Sequence, residues 1–152
     1  MKKLFILLIL FNLISSISYG KNIQDTNVMK IKLIIENQKE IIVRMADNSA
    51  AEQFIKMLPT NFEFIDFAGE EKISEFSRPI SLNNVPRGMI ASAGKMFIYV
   101  PWGNWGFFYK DHGDYLDKSL IELGQIERGL ENLSAYKGGF NAKIEVFEND
   151  DD

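Results

Sequence analysis

The run from Phe97 to Asp111 constrains this chain most. Phe97-Ile98-Tyr99-Val100 and Gly106-Phe107-Phe108-Tyr109 are apolar, aromatic-rich segments. Between them lie Pro101, Gly103, Asn104 and both tryptophans, Trp102 and Trp105. Pro, Gly and Asn between two such segments predict a β-hairpin. Phe107 and Tyr109 should share one face of the return strand and Phe108 the other, because successive strand side chains point to opposite faces. Both faces are aromatic. The outer one therefore needs a covering helix or loop, or it is an oligomer surface.

The rest of the chain extends this pattern. Val28 to Glu36 alternates and is rich in β-branched residues, Asn37-Gln38 fits a tight turn, and Glu40 to Met45 is the return strand. Asp47 to Glu52 starts a helix. Ser49 and Glu52 have capping-box spacing, Ala51, Phe54, Ile55 and Leu58 make one apolar face, and Pro59 stops the helix. Further strands are expected over Asn61 to Phe67, Lys72 to Phe76, Met96 to Val100, Gly106 to Lys110, Leu120 to Ile126 and Asn141 to Phe147. A short helix is expected within Gly129 to Tyr136. Ser81 to Gly94 carries breakers, and Asp111 to Lys118 is a polar loop. Seven or eight short strands with one clear helix argue against a doubly wound parallel sheet. They favour a mainly β, antiparallel barrel or sandwich with helical caps.

The ends are read separately. Met1-Lys2-Lys3 is a positive start, Leu4 to Ile14 is an apolar run, and Ser18 and Gly20 are small residues at signal-peptidase positions. Residues 1–20 are thus a signal peptide expected to be cleaved after Gly20. The apolar run is shorter than the ~20 residues a spanning helix needs, so no stable membrane anchor is expected after cleavage. Residues 21–27 form a linker, 28–148 one domain, and 149–152 an acidic tail. The protein should be exported, to the periplasm or beyond the cell. It has no cysteine, so disulfides and thiolate chemistry are excluded. A net charge of −4 gives no basic footprint for nucleic acid.

Particular motifs resemble the cyclophilin-like domain family of bacteria and archaea. They are Asp47-Asn48-Ser49-Ala50-Ala51, Leu58-Pro59, Glu71-Lys72-Ile73, the Tyr99 to Asp111 block with its Tyr-x-Pro-Trp-Gly-Asn and Phe-Tyr-Lys-Asp, and Leu123-Gly124-Gln125-Ile126. The resemblance implies a closed antiparallel cyclophilin-type β-barrel of about eight strands. Relatives often place an aspartate after the glycine of Gly94-Lys95-Met96, where this chain has Lys95. True cyclophilins are peptidyl-prolyl isomerases, and their pocket is only partly matched. Phe76-Ser77-Arg78-Pro79-Ile80 resembles the F-x-R-x-I segment, which makes Arg78 the catalytic candidate. Gly106 stands where that family has glutamine, and Leu120 where it has the pocket histidine.

Trp102 and Tyr99 are candidate ligand-binding residues at a barrel mouth, with Glu71 and Lys72 as its polar rim. Trp105 is expected in the barrel core. Arg78 and Arg87 suit surface pairing. His112, the single histidine, lies with Asp111, Asp114 and Asp117 in an acidic loop. Their spacing matches no calcium signature, so a solvated loop is the simpler reading and no metal or cofactor is expected. The methionines fit core filling. The expected function is an exported, noncatalytic module binding a small molecule or an extended peptide. The alternative is a prolyl isomerase or another small-metabolite enzyme with an altered pocket. Oligomerisation is left open.

Overall fold

Eight strands close into a barrel in the order β1-β10-β3-β4-β7-β6-β9-β2, in a computed structural model that describes residues 28–36 and 39–148. The expected signal peptide (1–20), the linker (21–27), the turn residues Asn37 and Gln38, and the acidic tail (149–152) lie outside the described residues. The barrel strands are β1 (Lys30–Ile35), β2 (Lys39–Met45), β3 (Thr60–Phe67), β4 (Glu71–Ser74), β6 (Lys95–Tyr99), β7 (Asn104–Phe108), β9 (Leu120–Arg128) and β10 (Phe140–Val146). Every barrel pairing is antiparallel. The breaker-rich stretch and the polar loop each hold a short strand that sequence reading left irregular. These strands, β5 (Met89–Ile90) and β8 (Leu116–Asp117), pair with each other outside the barrel.

The interior follows from period-two alternation. Ile31, Leu33 and Ile35 of β1 are fully buried, as are Phe64 of β3, Met96 and Ile98 of β6, and Trp105 and Phe107 of β7. The Trp105 ring centroid lies 4.8 Å from that of Phe54, 4.9 Å from Phe62 and 5.2 Å from Phe64, all edge-on. Burial of each such ring contributes about 1.5–3 kcal/mol.

The two helices cap opposite ends. Helix α1 (Ser49–Ile55) lays Ala50, Ala51 and Phe54 into the core. Its N-cap is Asn48 rather than the expected Ser49: Asn48 Oδ1 accepts from Ala50 N and Ala51 N at 3.1 and 2.9 Å. The tertiary reason is visible, since Asn48 Nδ2 also donates to Glu122 O on β9 at 2.8 Å. One side chain therefore caps the helix and ties it to the barrel wall. The short helix α2 (Leu130–Ser134) buries Leu133 at the other end.

Candidate functional site

The outer face of β4, β7, β6 and β9 carries a second apolar cluster, separate from the barrel core. It contains Ile73, Phe97, Phe108 and Leu120, with Met89 and Ala91 packed over them from the β5 segment. Strand alternation sends Trp105 and Phe107 inward and leaves Asn104, Gly106 and Phe108 facing outward. Both aromatic faces are thus accounted for. One fills the barrel, and the other is covered in part by the β5–β8 layer. Where that cover stops, a trough of about 350 Å³ remains.

Its floor is apolar: Ile73, Phe97, Phe108 and Leu120. The Phe97 and Phe108 rings stack at 4.3 Å. Trp102 folds back from the β6–β7 turn, 61% exposed. Its ring meets Tyr99 at 5.3 Å and Phe67 at 5.6 Å, both edge-on, so the three rings form one wall of the trough.

Polar groups stand at its two ends. Glu71 of β4 lies opposite Phe108, within the field of His112, and the β8 residue Asp117, paired with Met89, also lines the trough. His112 Nδ1 is paired with Glu70. That hydrogen bond raises the imidazole pKa against the opposing effect of burial, with Glu70, Glu71 and Asp117 adding in the same direction. Burial pushes the Glu71 carboxyl above its ordinary value. Asp117 Oδ1 accepts from both Ser119 N and Ser119 Oγ, at 2.8 and 2.6 Å. At the other end Asn104 is only 4% exposed, and its Oδ1 has no hydrogen-bond partner among the described residues. A buried acceptor left unpaired costs about 1–3 kcal/mol.

The structure brings together three of the predicted site residues. Glu71, Tyr99 and Trp102 line the same trough. Lys72 does not join them. The next residue along β4 faces the other way, and Lys72 is fully buried inside the barrel end. Its Nζ donates to Asp66 Oδ1 at 2.7 Å, to Gly138 O at 2.8 Å and to Tyr136 O. Arg78 is also elsewhere: its Nη2 donates to Lys56 O at 3.0 Å, beside α1, and Arg78 is not among the residues lining the trough. Lys95 pairs with Glu122 at 2.7 Å. Asp111 Oδ1 accepts from Ala93 N at 2.9 Å. Among the described residues, no three or more His, Cys, Asp or Glu side chains are placed to hold a metal ion.

Two positions bear directly on the isomerase comparison. A Cβ on Gly106 would lie 2.3 Å from the Lys72 carbonyl oxygen and 3.0 Å from Ile73 Cα. No glutamine fits there without moving β4. Leu120 is part of the trough floor and offers no hydrogen bond. Sequence reading passed over Asn104, although it stands in the quoted Tyr-x-Pro-Trp-Gly-Asn run. The available signal was parity: Asn104 shares its strand face with Phe108.

A family model described as the cyclophilin-like family matches residues 34–145. A comparison with curated proteins finds no match. Among solved structures, the chain is similar to the solution structure of the hypothetical protein AF2241 from Archaeoglobus fulgidus. The TM-score is 0.60 at 15% identity, over 79% of this chain and 95% of that one. At that identity the likeness concerns the fold.

Proposed function

Because this chain belongs to the cyclophilin-like family, and its barrel carries an aromatic-walled trough on the outer face, we propose that it is an exported, noncatalytic binding module. Its ligand is a small molecule or short extended peptide seated between Glu71 and Asn104, against Tyr99 and Trp102. The observation that carries the reading is the trough itself. It has an apolar floor, an aromatic wall and a few polar groups at its ends, which is the usual make-up of a ligand site. Export rests on the amino-terminal pattern of residues 1–20.

The noncatalytic part rests on the lining. A prolyl isomerase must lower a barrier of about 18–20 kcal/mol, and a fixed donor aimed at the imide is the usual means. Arg78 lies outside the trough lining, where its Nη2 donates to Lys56 O beside α1, Gly106 has no room for a side chain, and Leu120 supplies none of the needed polarity.

A tryptophan fluorescence screen against metabolites and short peptides tests the binding reading. Trp102 is the exposed indole and Trp105 is buried, so a ligand in the trough should change emission in the native protein and not in Trp102→Phe. Folded protein with no response to any compound would sink the reading. A protease-coupled assay on Pro-containing peptides tests the other part, and turnover there would overturn it.

A further inference from the structure

Two carboxylates line the trough, Glu71 and Asp117, and Asp117 is already engaged by Ser119. Among the described residues lining the trough there is no lysine or arginine. The Glu71 side chain forms no hydrogen bond or ion pair with another described residue, while the neighbouring His112 is already engaged by Glu70. Glu71 therefore presents a half-buried carboxylate that makes no direct ion pair, although the His112 imidazole acts on it through space. The far end is different in kind. Asn104 is a buried, uncharged carboxamide with an unpaired Oδ1, and a half-turn of that amide exchanges its acceptor and donor ends. An amide group of a ligand, carrying both a donor and an acceptor, pairs with whichever end faces the trough.

The spacing limits ligand length. Glu71 lies opposite Phe108 and Asn104 opposite Tyr99, so the two polar groups are four β7 residues apart. That is about 13 Å along the strand at ~3.3 Å per residue. Both side chains line the trough, and a hydrogen bond of about 3 Å at each end takes up part of that length. Three extended residues span about 10 Å.

We propose that this site selects a ligand with an ammonium head, bound by Glu71, an apolar body over Phe97, Phe108 and Leu120, and an amide bound by Asn104. The chemistry is that of a short apolar peptide with a free amino group, either its amino terminus or a lysine side chain. The proposal rests on the reading of the trough as a binding site and assigns its ligand class.

The test uses the chain lacking residues 1–20 and four probes. They are the amide of the tripeptide Leu-Phe-Ala with a free amino terminus, the same amide acetylated, an acetylated form with lysine in first position, and the acetylated free acid. Binding is followed by Trp102 fluorescence and by calorimetry. The free amine should bind at least about tenfold more tightly than its acetylated form, the scale of one charge-assisted contact. Glu71→Gln should abolish that preference, and Asn104→Leu should weaken every amide probe. Recovery by the acetylated lysine peptide would place the ammonium on a side chain, and its absence would place it at the terminus. Equal binding of amine and acetylated forms, or a preference that survives Glu71→Gln, overturns the assignment. Failure of all four probes overturns it too. If a broader screen then finds neutral or anionic ligands that quench Trp102, the binding site stands and only the ligand class falls.

Discussion

Lys72 Nζ lies 2.7 Å from Asp66 Oδ1, and the lysine side chain is fully buried at one end of the barrel. Asp66 Oδ1 also accepts from Tyr109 Oη at 2.7 Å. The lysine is held as a charge inside a β-rich wall by one carboxylate and two carbonyls. Removing one partner of such a pair strands the other. Asp66→Ala should therefore cost about 3 kcal/mol, read from urea unfolding. A cost under about 0.5 kcal/mol would mean that the two carbonyls alone satisfy the ammonium.

The same network sets an acid limit. Burial acts to raise the Asp66 pKa, but the hydrogen bonds from Lys72 and Tyr109 outweigh it and hold the carboxyl below its ordinary value. A depressed carboxyl contributes stability that is present above its unfolded value, about 3.9, and is lost as pH falls through the folded one. Thermal melts should show stability dropping below about pH 4, and Asp66→Ala should flatten that drop. Tyr109 reports the other side of the network. Burial and the Asp66 hydrogen bond push its phenol up to about 12, so its absorbance should not titrate with a free tyrosine.

His112 gives a second pH marker. Its pairing with Glu70 raises its pKa. The stability it contributes is present below its unfolded value, about 6.5, and fades as pH rises through the folded one. With its side chain 45% exposed, the effect on melting is small. The chain has one histidine, so a proton NMR titration is unambiguous. The midpoint should lie above that of a free imidazole and fall in Glu70→Gln. An unchanged midpoint in that variant would contradict the pairing.

Gly106 is required by backbone approach. Its absent Cβ would meet the Lys72 carbonyl oxygen at 2.3 Å. Gly106→Ala should destabilise by about 3 kcal/mol, the upper range for overpacking. Gly106→Gln should cost at least as much and should not create isomerase turnover. A well-folded Gly106→Gln variant, seen by near-ultraviolet circular dichroism, would show that β4 yields easily.

Trp102 separates binding from folding. Being exposed, it should tolerate Trp102→Ala within about 0.5 kcal/mol of stability. Ligand affinity should drop about threefold to tenfold, the scale of one aromatic contact. Trp105→Ala should do the reverse, costing about 3–5 kcal/mol of core stability. The two variants side by side distinguish a trough ligand from general damage.

Much of this architecture is legible locally. The alternation in Lys30 to Ile35, the apolar face of Ala51, Phe54 and Ile55, and the turn chemistry between Tyr99 and Asn104 each specify an element without reference to the rest. Period two and period three-to-four are properties of the backbone, so neighbouring residues suffice to reveal them. The quoted motifs then point to the barrel. The cap on α1 was missed because Asn48 is chosen by a bond to Glu122, which is distant in sequence. The short strands β5 and β8 were missed because two residues carry no periodicity.

The site lay beyond local reading for the same reason. Glu71 and Lys72 are adjacent in the sequence, and only closure of the barrel decides that one faces the trough and the other the interior. The aromatic pair Phe107-Phe108 names two buried faces without saying which encloses the core. That choice follows from the direction in which β7 and its neighbours curve when the barrel closes, which turns Phe107 inward and leaves Phe108 under the β5–β8 layer. The opening hairpin was evident from sequence; the trough against its outer face exists only because the tertiary fold leaves that layer incomplete beside Trp102.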